Sequence, residues 1–137
     1  PEQWLVKDDY TLIDCLWRYW TAPGHQDLAH LQQIKAMLAQ PGVLTATLAY
    51  YRAMLDPDQG DPRLAELRQR MNRPIAVPPL ALCGSEDLRE ELITQQDRHF
   101  TGEYAYRSVA GAGHFLHREQ PAEVTRLILE WLGAARH

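Results

Sequence analysis

Nucleophilic side chains are scarce in this chain. Serine occurs only as Ser85 and Ser108, and cysteine only as Cys15 and Cys83. Both cysteines sit among apolar neighbours, which predicts two reduced, buried thiols rather than a disulfide framework. Basic charge is not in excess either. With 14 Lys and Arg against 18 Asp and Glu, the formal net charge is -4, which argues against the basic face that nucleic-acid binding needs. No apolar run approaches the ~18 residues of a membrane span, and no signal peptide opens the sequence. A cytoplasmic protein with no nucleic-acid and no membrane partner is therefore expected. Pro1 stands where an initiator methionine would, which suggests a chain cut from a longer one.

What is present fits a globular protein. Apolar residues make up 45% and charged residues 23% of 137 positions, close to the globular average. A chain of this size hides roughly 68% of its unfolded surface, enough for a core without covalent staples.

Residues 1–73 read as helical. Asp8 and Asp9 can cap a segment with Leu12, Ile13, Leu16, Trp17 and Trp20 at helical spacing, and Thr21-Ala22-Pro23-Gly24 stops it. A second helix is predicted over about 27–40, with Leu28, Leu31, Ile34 and Leu38 on one face. A third begins at or after Pro41-Gly42 and runs to Leu55. Pro62 suits a first helical position ahead of Leu64, Leu67 and Met71. The pattern changes at Asn72-Arg73-Pro74. Val77 to Cys83 reads as a buried strand whose prolines fit only its first residues. A helix follows over 87–100. Tyr104 to Val109 is a second strand, and Pro121 opens a last amphipathic helix with Val124, Leu127, Ile128, Trp131 and Leu132 inward. Strand, crossover helix and strand make one parallel βαβ unit.

Two turns carry candidate chemistry. The first strand ends in Cys83-Gly84-Ser85-Glu86-Asp87. The second leads into Gly111-Ala112-Gly113-His114-Phe115-Leu116-His117-Arg118-Glu119-Gln120-Pro121. This pair resembles the C-terminal end of α/β-hydrolases, nearest to the epoxide hydrolase and haloalkane dehalogenase branch and its ester-cleaving relatives. There, a Gly-x-x-Asp turn presents the acid of a catalytic triad and a Gly-x-Gly-His loop presents its base. The matching positions are Asp87 and His114. The resemblance is strong over 77–132. It extends more weakly to the helical part, where Pro41-Gly42-Val43 and Leu48-Ala49-Tyr50-Tyr51-Arg52 are similar to the family's cap. It implies an α/β fold with a helical cap over 1–73 and the C-terminal βαβα part of the core over 74–137. It implies no cofactor and no metal.

The chemistry accounts for the pattern independently of the family. Adjacent parallel strands end on the same edge, so their C-terminal loops lie side by side where open α/β sheets hold ligands. A carboxylate on one imidazole nitrogen fixes the tautomer and stabilises the charged ring, leaving the other nitrogen as general base. Asp87 as a helix N-cap and His114 as an ordinary loop residue are the plainer readings. Glu86 is the adjacent competitor for the acid's role.

The nucleophile is not in this sequence. The family carries it earlier, on a Gly-x-Nuc-x-Gly elbow, in the order nucleophile, acid, histidine. None of the eight glycines has another four places on. No histidine precedes a glycine, so the family's oxyanion motif is missing as well. Ser85 lies inside the acid's turn and Ser108 inside a strand, so neither suits the role. The chain alone is expected to be inactive, and its two open sheet edges are expected to seek the missing half or a second copy.

Other residues have weaker claims. By the resemblance, Tyr51 matches the cap tyrosine that donates a hydrogen bond to an epoxide oxygen; packing at helical spacing is the alternative. Trp17 and Trp20 are candidates to line a substrate pocket, or simply core residues. His114, His117 and Glu119 form only a weak metal-like pattern. The expected function is hydrolysis of a small, apolar ester or epoxide by the intact enzyme. The rivals are a non-catalytic fragment or binding module, and one half of a split enzyme.

Overall fold

The computed structural model describes residues 2–56, 61–71 and 73–134. Its residues cluster into two units, Pro1–Trp17 with Asp27–Arg73, and Arg18–Gln26 with Pro74–His137. The division is not a single cut between 73 and 74, because residues 18–26 pack with the later part of the chain.

The first unit is helical. Helix α1 spans Glu2–Leu5, α2 Thr11–Trp20 (its last turn passing into the second unit), α3 Leu28–Leu38 and α4 Val43–Leu55. A 3-10 turn, Pro62–Leu64, leads into α5, Ala65–Arg70. Helix α3 starts where a short polar side chain can take an orphan amide: Asp27 Oδ1 accepts from the His30 N–H at 3.0 Å. Gly42 supplies the left-handed turn, φ 79°, that starts α4. The expectation that Asp8 and Asp9 cap α2 through their side chains is replaced by another device. Asp8, Asp9 and Tyr10 all have positive φ, and the Asp8 carbonyl accepts from both the N–H and the hydroxyl of Thr11. Trp17, Leu31 and Leu38 are buried. Lys35 is buried too, with its Nζ 2.7 Å from Asp14 Oδ2, which pins α3 to α2. One thiol departs from expectation: Cys15 lies on the exposed face of α2, while Cys83 is buried.

The second unit is mixed α/β. Strand β1, Leu80–Gly84, pairs in parallel with β2, Ala105–Val109, in the register Leu80 to Ala105 through Gly84 to Val109. The strand is shorter than the apolar run suggested, since Pro78 and Pro79 cannot donate to a ladder. The predicted crossover helix is split into α6, Glu90–Thr94, and a 3-10 turn, Gln95–His99. The Tyr104 hydroxyl donates to the Ile93 carbonyl and the Tyr106 hydroxyl to Glu90 Oε1, both at 2.6 Å. Burial, then the bond to the Glu90 carboxylate, pushes the Tyr106 phenol up to about 12. A short α7, Leu116–Glu119, precedes α8, Pro121–Ala134. The core sits between sheet and α8, where Val109, Ala112 and Val124 pack with Leu82, Leu116 and Leu127. Of the α8 residues expected inward, Ile128 and Leu132 are exposed, because two strands cover too narrow a strip of the helix.

Candidate active site

The site begins with two loops that are stitched together. The Ser85 N–H donates to the Val109 carbonyl at 3.0 Å, and the Glu86 N–H to the Ala112 carbonyl at 2.9 Å. Ser85 Oγ accepts from the Gly111 N–H at 2.9 Å. A Cβ on Gly84 would collide with the backbone oxygens of Ala112 and Gly113. Glycine at 84 therefore sets how closely the two strand ends approach. Ser85 is part of this stitching.

The approach brings the two sequence-expected residues together. His114 Nδ1 lies 3.1 Å from Asp87 Oδ2. The Asp87 side chain is 8% exposed and that of His114 37%. The other oxygen, Oδ1, accepts from the Arg89 N–H and from Arg89 Nε, each at 3.0 Å. Burial pushes the Asp87 carboxyl up. The hydrogen bonds from the Arg89 backbone, its guanidinium and His114 outweigh that and hold it below its ordinary value. Asp87 is thus a buried carboxylate that keeps its charge, as an orienting acid must.

Beside this pair stands Trp20, in the same unit. Its ring is 5.5 Å from that of His114, and the Arg89 guanidinium lies 5.4 Å from its centroid, a cation–π contact. Phe115 packs against both rings. Two further candidates, Trp17 and Tyr51, belong to the first unit. Trp17 is 6% exposed with its ring against His30, a packed position with little surface open to a ligand. Tyr51 is exposed on α4 and makes an edge contact with Tyr50. His117 is exposed. Among the described residues no cluster has the make-up of a metal site.

The sequence missed two residues. Arg89, to which the sequence assigns no role, holds Asp87. Glu119 figures in the sequence only as part of a weak metal pattern, yet it is 7% exposed. Its Oε2 accepts from the N–H groups of Ala22 and Gly113, and Oε1 from that of Phe115. A glutamate just ahead of the proline that opens a helix, five places after a candidate base, is the available signal, and it is a weak one.

A base with one nitrogen on a charged carboxylate and the other free can take a proton from a nucleophile or water. No family model matches the chain. A curated relative, the AB hydrolase superfamily protein YfhM of Bacillus subtilis (strain 168), is 31% identical over 134 residues, covering 96% of this chain and 43% of that protein. Among solved structures, wild-type Cfl2 from Burkholderia cenocepacia superposes with a TM-score of 0.76 at 22% identity, over 96% of this chain and 43% of that one. That likeness speaks to the fold. The chain spans less than half the length of either protein, and over nearly all of its own length it is related to the α/β-hydrolase superfamily.

Proposed function

We propose that this chain supplies the acid and the histidine of a hydrolase active site, with Asp87 orienting His114 and His114 acting as general base. The observation that carries the reading is the 3.1 Å contact between His114 Nδ1 and the buried, charged Asp87 carboxylate. The nucleophile and oxyanion donors come from a segment outside this sequence, either in a longer chain or in a partner, docked at a free sheet edge. The helical first unit acts as the cap. The substrate is a small, apolar ester or epoxide. Trp20, beside the imidazole, walls its site, and Tyr51 is the cap donor to an epoxide oxygen. An aspartate nucleophile gives epoxide or haloalkane chemistry and a serine gives ester cleavage.

The test is hydrolysis of a nitrophenyl ester and of an epoxide by the product of the whole gene. Replacing Asp87 by Asn should cost on the order of 10⁴-fold in kcat, the penalty of a wrongly oriented base, and His114→Ala a similar factor. The isolated chain should be inactive. Turnover by the isolated chain that His114→Ala abolishes would overturn the missing nucleophile, and whole-gene activity untouched by His114→Ala would sink the reading.

A further inference from the structure

We propose that Glu119 is a positioning residue for His114, fixing the imidazole through the backbone on either side of it. The inference rests on the reading of His114 as the base and goes beyond it. The carboxylate bonds to Gly113 N–H at 2.8 Å and Phe115 N–H at 3.1 Å, the two amides that flank His114. The amide between them, that of His114 itself, donates to the Trp20 carbonyl at 2.7 Å. Three consecutive N–H groups are thus engaged, so the peptide planes on both sides of the histidine Cα have fixed directions.

The same carboxylate reaches a second segment. Oε2 also accepts from the Ala22 N–H at 3.0 Å. Residues 20–22 are therefore tied to the histidine loop twice, by the Trp20 carbonyl and by the Ala22 amide. The segment lies so close that a Cβ on Gly113 would meet Trp20 O at 2.5 Å and Ala22 N at 2.7 Å. It also carries the indole that stands 5.5 Å from the imidazole. One buried carboxylate therefore sets both the root of the base and the wall beside it.

Glutamate suits this task on chemical grounds. An ionised carboxylate only accepts, through two oxygens, so it can hold three donors at once. Glutamine offers a single acceptor oxygen and turns an NH2 group toward N–H donors. Glu119→Gln should keep the volume and lose part of the clasp.

The experiment is NMR on the 15N-labelled chain, with amide exchange and the His114 ring nitrogens as two separate readouts. In the unsubstituted chain the ring signals should show the Nδ1–H form bonded to Asp87. Glu119→Gln should speed exchange at Ala22, Gly113 and Phe115 by about tenfold or more and shift the ring signals away from that form. Glu123→Gln, an exposed α8 pair with Arg126, should change neither. Glu119→Asp, which keeps the charge but is one methylene shorter, is read in the same way should the glutamine variant not fold. Faster amide exchange with unmoved ring signals would overturn the proposal, since Glu119 would then only pack the loop. Asp87→Asn separates the two ideas. Ring signals that ignore it defeat the acid–base pairing itself, whereas ring signals that respond to it but not to Glu119 variants defeat the positioning role alone.

Discussion

At the residue scale, Asp87 is the position where burial and hydrogen bonding pull in opposite directions. Its folded-state pKa lies below the unfolded value, near 3.8, so the unfolded chain takes up the proton first. The group's contribution to stability is therefore complete above the unfolded value and is lost as pH falls through the folded one. Urea unfolding followed from neutral to acid pH should show stability declining below about pH 4. Asp87→Asn should flatten that limb, and an unchanged acid slope in the variant would mean that the carboxylate is not ionised in place. Asp87 and His114 were legible in the sequence because their turns resemble the acid turn and histidine loop of α/β-hydrolases, and the two residue types have complementary chemistry. Glu119 and Arg89 were not. What matters about them is which backbone amide or carboxylate lies opposite, and that partner is distant in the chain or set by a local turn.

At the element scale, the two strand-end loops behave as one unit because their backbones touch. Gly84→Ala would place a methyl group against the carbonyls of Ala112 and Gly113, where backbone cannot yield as a side-chain tip can. We expect a loss of roughly 1–3 kcal/mol or more, the usual cost of overpacking, measured by denaturant unfolding. Gly133→Ala is the control: nothing lies within 4 Å of its Cβ and it sits in α8, so it should be neutral or stabilising by up to ~1 kcal/mol. Equal effects at the two sites would contradict the close approach. Helical spacing predicted the existence of α2, α3, α4 and α8. It did not predict the three left-handed residues Asp8–Tyr10, since Asp8 and Asp9 look like side-chain caps until their dihedrals are known. Nor did it predict the break at Gln95, because 3-10 and α-helical turns share the same residue preferences.

At the scale of the whole molecule, many large apolar side chains remain uncovered. Val77, Leu88, Leu92, Leu129 and Leu132 in the second unit are all more than half exposed. Among the described residues β1 pairs only with β2, so each strand keeps a free edge, and free edges invite pairing. The isolated chain should therefore associate. Size-exclusion chromatography with light scattering should give a concentration-dependent mass above that of one 137-residue chain, and a strictly monomeric profile at high concentration would refute this.

Patterning along the chain was enough to specify the helical stretch, the parallel βαβ unit and an acid–histidine pair at its edge. These follow from periodicity, from glycine and proline punctuation, and from the geometry of parallel strands, all of them short-range rules. Folding in three dimensions was needed to assign residues 18–26 to the second unit, to expose Cys15, to bury Glu119 beneath the histidine loop and to set Arg89 on the acid. Most of these depend on which surfaces meet across long separations in sequence, whereas Arg89 reaches Asp87, two residues away, through the local turn. Burial and hydrogen-bond satisfaction select those contacts collectively, and no local pattern encodes them.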